Sequence, residues 1–148
     1  MRIYIIIFIS LVFVTSSYCQ DKWWNDKKYS NTIKNKECKY TFENIANGFK
    51  NSNVDKITRY FDTEVYLDVL TASAGYYSIN QAEQILIDFL NYFNIINFYY
   101  TKSFVNVNSA FAIGYCVYMR NNTSIKINAS ISLKYKDTSW YLEQIILN

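Results

Sequence analysis

Residues 78–93, SINQAEQILIDFLNYF, carry the clearest helical pattern of the chain. Ser78 and Gln81 have the spacing of a capping box, in which the serine oxygen accepts from a free backbone amide and the glutamine side chain reaches back. Behind this box, apolar side chains recur at helical spacing at Ala82, Ile85, Leu86, Phe89, Leu90 and Phe93. The stretch therefore predicts an amphipathic helix with one buried face.

The chain after this helix predicts four consecutive strands. The clearest evidence is residues 125–135, where Ile, Ala, Leu and Tyr alternate strictly with Lys, Asn and Ser, as in a strand with one buried and one wet face. Polar segments that favour turns separate the strands, among them Asn121-Asn122. The predicted strands are residues 96–107, 110–120, 125–135 and 140–147.

The chain before this helix predicts smaller elements. Thr41 and Asn53 are candidate caps for two short amphipathic helices. Val65, Leu67 and Val69 alternate with polar residues, which indicates a short strand. Residues 75–77 form a connection in this interpretation.

This order of elements predicts a single α+β domain over residues 40–148. A long meander must curl to cover its own apolar face, and the helices are the natural filling. We expect a curved antiparallel sheet wrapped around the long helix, with two short N-terminal helices, in the form of a cone open at one end.

The first residues have the features of a targeting signal. Arg2 precedes an apolar run from Ile3 to Val14, which is too short to span a bilayer, and Ser17 and Cys19 are the small residues of a cleavage site. We expect residues 1–19 to be a cleaved signal peptide, so that the chain is exported to the periplasm or secreted and is not membrane-bound afterwards. The alternative is a lipoprotein cysteine at Cys19, which the bulky Tyr18 before it disfavours. Residues 20–39, which include Trp23-Trp24, are expected to form a lysine- and asparagine-rich linker.

Composition excludes several classes of function. The chain of 148 residues contains no histidine, no proline and only three glycines. Without imidazole there is no Ser-His-Asp or Cys-His nucleophilic system and no His-ligated zinc or haem. No glycine-rich phosphate loop occurs. We therefore expect neither a metal nor a cofactor.

Charge argues against a nucleic-acid partner. Residues 20–39 carry six lysines against three acidic residues, whereas residues 40–148 carry eight basic residues against nine acidic ones. A nucleic-acid binder needs a basic stripe on its folded body, which this composition does not supply.

Local motifs resemble a known family. Residues 42–61, FENIANGFKNSNVDKITRYF, and residues 76–90, YYSINQAEQILIDFL, are similar to the two-helix entry and the "YS..QA..IL.dFF" signature of the secreted bacterial domain-of-unknown-function family 4783. Leu90 departs from the second phenylalanine of that signature. The element order resembles the wider nuclear transport factor 2-like superfamily, also called the cystatin-like cone. The resemblance implies fold and export and transfers no catalytic residue.

Asp68 is the candidate base of an enzymatic alternative. Ketosteroid-isomerase-like members of the wider superfamily use a carboxylate in the cone with nearby tyrosines, chemistry that needs no histidine, and Tyr66 lies beside Asp68 in the predicted strand. Because Asp68 alternates with Val65, Leu67 and Val69, we expect its side chain to point away from the face that they bury. A solvated or paired carboxylate is the preferred interpretation.

Aromatic and cysteine residues offer further candidates. Tyr92, Phe98, Tyr100 and Phe104 could line an apolar ligand pocket, or could belong to a core or a dimer face. Cys38 and Cys116, the cysteines left after export, are the candidates for a disulfide, although Cys116 could simply pack in a strand.

Two hypotheses for the function follow. The preferred one is a non-enzymatic exported domain that binds a protein partner or a small apolar ligand and forms a homodimer. The alternative is an isomerase- or dehydratase-like enzyme that uses Asp68 and Tyr66.

Overall fold

A computed structural model describes residues 32–148 of the chain, which divides into two compact units, Met1–Lys36 and Glu37–Asn148. The first unit is described only from residue 32, where it is helical, and the predicted signal peptide and Trp23-Trp24 lie outside the described residues. No helix of the described part is long and apolar enough to cross a membrane. The remainder of the description concerns the second unit.

Within residues 32–148, three helices and six strands follow one another. Helix α1 is helical over residues 32–50 of the described part. The other elements, in chain order, are α2 Asp55–Thr58, β1 Phe61–Val69, β2 Gly75–Ser78, α3 Ile79–Tyr92, β3 Asn94–Val105, β4 Ser109–Arg120, β5 Thr123–Lys136 and β6 Ser139–Leu147. The α+β class is confirmed, with helices against one curved sheet.

Helix α1 differs from its prediction because it does not begin at Thr41. The Thr41 hydroxyl donates to the Glu37 carbonyl oxygen at 3.0 Å, one turn earlier, so Thr41 lies inside the helix. The apolar face already includes Cys38, which is completely buried. Residues 32–39 of the expected linker are therefore helical, and α1 rather than α3 is the longest helix described.

Helix α3 begins as its sequence predicts. The capping box is present, and the Ser78 backbone N–H donates to Gln81 Oε1 at 3.2 Å. Its buried residues are Ala82, Leu86, Phe89 and Leu90, which lie on one face at helical spacing. The cap of α2 is also confirmed, since the Lys56 backbone N–H donates to Asn53 Oδ1 at 3.2 Å.

The six strands form one sheet in the order β2-β1-β6-β5-β4-β3. Strands β3 to β6 form the predicted antiparallel meander, but β1 pairs with β6 in parallel, so the sheet is mixed rather than antiparallel. Residues 75–77, a connection in the sequence interpretation, instead form the edge strand β2 together with Ser78. Their pairing with β1, which sets Tyr66 opposite Tyr76, is long-range information that local composition does not carry.

The core lies between the helices and the inner face of the sheet. Phe49 of α1 stacks on Phe98 of β3, with ring centroids 4.6 Å apart. On β4 the inner positions carry small residues, Ala110, Ala112, Gly114 and Cys116, while β5 contributes Ile131 and Leu133. Every buried hydrophobic residue of the described part lies between Cys38 and Leu147.

Candidate functional site

Asp68 and Tyr66 lie on the outer face of β1. Val65, Leu67 and Val69 are buried, so the two intervening side chains point to the opposite face of the strand, as the alternation predicts. The Asp68 carboxylate accepts a hydrogen bond from the Asn148 side-chain amide at 3.4 Å. The carboxylate is thus on the side of the sheet opposite the helices.

The four residues considered for a ligand pocket lie in three different places. Phe98 is 4% exposed and contacts Tyr100 in the core, with ring centroids 5.5 Å apart. Tyr92 is 69% exposed at the end of α3, and Phe104 is 49% exposed and stacks on Phe111 of β4. Only Phe98 and Tyr100 are therefore neighbours.

Tyr100 carries a buried hydroxyl for which the described residues provide no hydrogen-bond partner. Its ring also meets the ring of Phe42 edge-on, with centroids 5.4 Å apart. Burial raises the pKa of the Tyr100 phenol above its usual range, because the phenolate would lose its hydration. This hydroxyl is an unusual feature of an otherwise apolar layer.

Within residues 32–148, Cys38 and Cys116 are not joined to each other by a disulfide. Both are completely buried members of the same hydrophobic core, Cys38 on α1 and Cys116 on β4. Burial raises the pKa of the Cys116 thiol to about 12. This geometry corresponds to the alternative in which Cys116 packs as a small core residue.

Residues 32–148 contain no cluster of three or more groups suited to hold a metal ion.

An apolar surface covers the outer face of β3 and β4. We call the set Tyr99, Phe104, Phe111 and Ile113 the outer patch, whose side chains are 37–49% exposed. Phe104 is paired with Phe111, and their rings stack at 4.7 Å. The Tyr99 ring lies 5.7 Å from that of Tyr115 on the neighbouring strand.

A bulge in β3 creates the outer patch. The pairing of β3 with β4 shifts between Tyr100 and Lys102, and Thr101, the extra residue, donates its hydroxyl to the Ile113 carbonyl oxygen at 3.1 Å. Tyr99 and Phe104 are five residues apart, so without the bulge they would point to opposite faces. The extra residue places both on the outer face.

Lysines lie within and beside the outer patch. Lys126 Nζ lies 3.5 Å from the centroid of the Tyr115 ring and 6.0 Å from that of Tyr99, which is a cation–π geometry. Lys102 is paired with Ile113 and lies between Tyr99 and Phe104 along β3, and Lys134 is paired with Ser109 at the start of β4. The patch is therefore apolar apart from Lys102 and basic at its margin.

Two open clefts lie at the other end of the sheet. One, of about 240 Å³, contains Tyr76, Tyr141 and the ion pair between Lys136 and Asp62, whose Nζ and Oδ2 atoms are 2.9 Å apart. The other, of about 370 Å³, contains Tyr40, Tyr60, Trp140 and again Tyr141. In the first cleft, the hydrogen bond and charge of Asp62 raise the pKa of the exposed Lys136 ammonium. A third cleft, of about 430 Å³, lies between α2 and α3.

Sequence reasoning did not single out Phe111, Ile113, Tyr76 or Tyr141. Phe111 and Ile113 alternate with Ala110, Ala112 and Gly114, and the small residues occupy the buried positions. In the first half of β4 the larger apolar side chains are thus the outer ones, which reverses the usual inference that large apolar residues face the core, whereas Tyr118 further along is buried. The small residues at alternate positions of β4 were the sequence signal that could have indicated its outward-facing apolar side chains.

Comparison with known proteins identifies a family and solved structures that are similar to this chain. The family described as "Domain of unknown function (DUF4783)" matches residues 42–148. A solved structure of a DUF4783 protein from Bacteroides ovatus is similar with a TM-score of 0.61 at 16% identity, over 70% of this chain and 90% of that one. Another, from Bacteroides fragilis, has a TM-score of 0.58 at 20% identity, over 70% and 93% of the two chains.

More distant structures share the fold. A nuclear transport factor 2-like protein of unknown function from Pseudomonas putida has a TM-score of 0.64 at 9% identity, over 79% of this chain and 87% of that one. No curated protein matches the sequence. At these identities the likeness shows the fold alone.

Proposed function

We propose that this chain, which belongs to the DUF4783 family within the nuclear transport factor 2-like superfamily, is an exported, non-enzymatic binding domain. In this proposal it docks a second copy of itself through the outer patch. The observation that carries the proposal is the contiguous exposure of Tyr99, Phe104, Phe111 and Ile113 on one face. Contiguous apolar surface of this kind marks interaction sites, because a monomer gains nothing from keeping it in water.

The shape of the sheet supports a second copy as the occupant. The outer patch lies on the broad face of two twelve-residue strands, and a sheet face can pack on the same face of another copy about a twofold axis. In such an isologous pair, the stacked rings of Phe104 and Phe111 would form the apolar centre. Lys126 and Lys134 would lie at the margin, where salt screens their mutual repulsion, and Lys102, on the edge strand β3, would extend its ammonium group towards solvent.

The enzymatic alternative has less support. An isomerase-like base needs an apolar cavity that raises its pKa, with a tyrosine hydroxyl aimed at the same substrate atom. Asp68 lies on the outer face, and its carboxylate is engaged by Asn148. Tyr66 packs its ring edge-on against Tyr76, 5.2 Å away, rather than against a substrate cavity.

Export is the second part of the proposal. Arg2 followed by the apolar run Ile3–Val14 and the small residues Ser17 and Cys19 supports a cleaved signal peptide. The mature chain is then expected to begin at Gln20. Intact mass measurement of the protein from an exporting host tests this, and retention of residue 1 in the extracytoplasmic form would contradict it.

Native mass spectrometry of the unreduced mature chain tests the dimer. We expect a dimer for the natural sequence, a monomer for Phe111→Lys, and a dimer for Leu70→Lys. Leu70 is the matched control, since it is 51% exposed but lies at the end of β1 rather than on β3 or β4. A monomeric natural chain, or a dimer that survives Phe111→Lys, would contradict the proposal.

Salt dependence separates a second copy from another protein. Raising the ionic strength should strengthen self-association, because it screens repulsion between the marginal lysines of the two copies. A different partner with an acidic margin would bind more weakly at high salt. Co-purified small-molecule mass on the monomer would instead favour the apolar-ligand hypothesis.

A further inference from the structure

Strand β2 is a free edge of the sheet. In the sheet order β2-β1-β6-β5-β4-β3 it pairs only with β1, and within residues 32–148 no strand pairs with its other side. An edge strand presents alternate backbone N–H and C=O groups to which a further extended chain can bond. The Tyr76 side chain on this strand is 68% exposed. The edge therefore has the backbone groups that strand addition requires.

The pairing with β1 indicates which of these groups face outwards. Residues opposite each other in an antiparallel pair alternate between exchanging both ladder hydrogen bonds and exchanging none. Ser78 is paired with Glu64, but its N–H donates to Gln81 Oε1 at 3.2 Å, so this pair is one that exchanges none. By alternation Tyr77 bonds to β1, and the N–H and C=O of Tyr76 point to the free side.

Charge divides the sheet into two halves. Residues 61–93, which form β1, β2 and α3, contain five acidic residues and no lysine or arginine. Residues 94–136, which form β3, β4 and β5, contain five basic residues and no aspartate or glutamate. The nearly neutral composition of residues 40–148 thus combines two segments of opposite sign. Strand β2 lies at the acidic end of the sheet.

Carboxylates also outnumber ammonium groups in the cleft beside Tyr76. The charged residues that line it are Asp62, Glu64, Glu143, Lys134 and Lys136. The ion pair between Lys136 and Asp62 leaves two carboxylates against one ammonium group. One of these carboxylates belongs to Glu64, which lies opposite the last residue of β2. A cation beside this edge therefore meets an excess of negative charge.

The opposite edge of the sheet, β3, differs in both respects. Its pairing with β4 is irregular at two places, between Ile95 and Asn97 and between Tyr100 and Lys102. The Phe98 backbone N–H donates to the Asn97 side-chain oxygen at 3.0 Å. Bulges and an amide that is already bonded disfavour pairing with a further strand, and the one charged residue of β3 is a lysine.

We propose that the free edge of β2 binds an extended basic segment of another protein by strand addition. The segment residue opposite Tyr76 accepts from its N–H and donates to its C=O. Because β2 has only four residues, this ladder is short, and lysine or arginine side chains beside the excess carboxylates supply the rest of the affinity. The site is separate from the outer patch and goes beyond the proposed function.

Fluorescence anisotropy of labelled peptides with the full chain tests the proposal. The probe is a heptapeptide of alternating lysine and valine, and its glutamate–valine counterpart is the charge control. A third peptide has the lysine–valine sequence with every backbone amide N-methylated, so that it cannot donate to the Tyr76 carbonyl oxygen. We expect binding of the unmodified lysine–valine peptide alone, with an affinity that falls as salt is raised.

Two variants of Tyr76 separate the backbone from the ring. Tyr76→Ala and Tyr76→Pro both remove the ring, but only proline removes the N–H, and an edge position whose N–H faces outwards tolerates proline. Tyr76→Ala should weaken binding about threefold, and Tyr76→Pro about tenfold or more. Glu64→Lys tests the charge independently of that amide and should weaken binding of the lysine–valine peptide about fivefold.

Tyr92→Ala is the matched control, because Tyr92 is 69% exposed like Tyr76 but lies at the end of α3. It should leave peptide affinity unchanged. Phe111→Lys should also leave it unchanged, so that a failure of self-association and a failure of peptide binding are distinguishable. Thermal unfolding of each variant verifies that the fold is retained.

Three results would overturn the proposal. The first is no binding of the lysine–valine peptide. The second is binding of the glutamate–valine or the N-methylated peptide that equals or exceeds it. The third is an affinity unchanged in both Glu64→Lys and a folded Tyr76→Pro. If Tyr76→Pro does not fold, the N-methylated peptide and Glu64→Lys decide the question.

Discussion

At the scale of the residue, Tyr100 is the least expected feature of the core. Its ring packs between Phe42 and Phe98 as any aromatic core residue would. Its hydroxyl has given up water without gaining a partner among the described residues, at a cost of roughly 1 to 3 kcal/mol. The pattern of apolar positions predicts where Tyr100 lies but cannot reveal that its hydroxyl ends in an apolar layer.

Tyr100→Phe should stabilise the protein by about 1 kcal/mol, since it removes the unpaired hydroxyl and keeps the ring. Urea unfolding at neutral pH measures the change. Tyr60→Phe is the control with the opposite sign, because it removes the acceptor of the Asn44 amide. A loss of stability in Tyr100→Phe would mean that the hydroxyl is bonded to an internal water or a ligand.

At the scale of the element, the bulge in β3 decides which side chains form the outer patch. Gly114 lies opposite this irregularity, paired with Tyr100. A Cβ atom at Gly114 would clash with the Tyr99 carbonyl oxygen and lie 2.6 Å from Tyr100 Cα, both backbone atoms that cannot swing aside. The close approach of the two strands therefore requires glycine at this position.

Gly114→Ala should destabilise the protein by about 3 kcal/mol, or prevent folding, because β3 must move away from β4. Gly75→Ala provides the control, since the nearest atom to its added Cβ, Tyr77 Cε2, is 4.0 Å away. Circular dichroism during thermal unfolding compares the two variants. Equal stability of both would show that the strands are not held as closely as described.

At the scale of the whole molecule, burial in the core favours the protonated form of one thiol and one phenol. Burial raises the pKa of Cys116 from its ordinary value of 9.0 to about 12, and it also raises the pKa of Tyr100. In the unfolded chain both groups lose their protons at lower pH. Folding is therefore linked to the retention of these protons.

The free energy of unfolding should consequently fall as pH rises from about 9 towards 12, while these two groups contribute no pH dependence at lower pH. Urea titrations at several alkaline pH values measure the slope. Cys116→Ala should reduce the slope, because it removes one of the two groups whose pKa burial raises. A slope unchanged in Cys116→Ala would mean that the thiol titrates in the folded protein as it does in the unfolded chain.

Much of the fold follows from the sequence because its signals are local. The capping box at Ser78 and the helical stripe behind it predicted α3, and the strict alternation of residues 125–135 predicted the inner face of β5. Together with the element order, these patterns were enough for the α+β class, while the family followed from the resemblance of residues 42–61 and 76–90 to its motifs. Even the outward position of Asp68 followed from its alternation with three buried neighbours.

Which side chains share a surface depends on the tertiary structure and could not be read from the sequence. The parallel pairing of β1 with β6, the edge strand β2 and the bulge at Thr101 all depend on partners far along the chain. Because a shift of one residue moves every following side chain to the other face, local pattern could not place Tyr99 and Phe104 together. The two clefts that share Tyr141 likewise collect side chains from α1, β2 and β6, which only the packed sheet brings near one another.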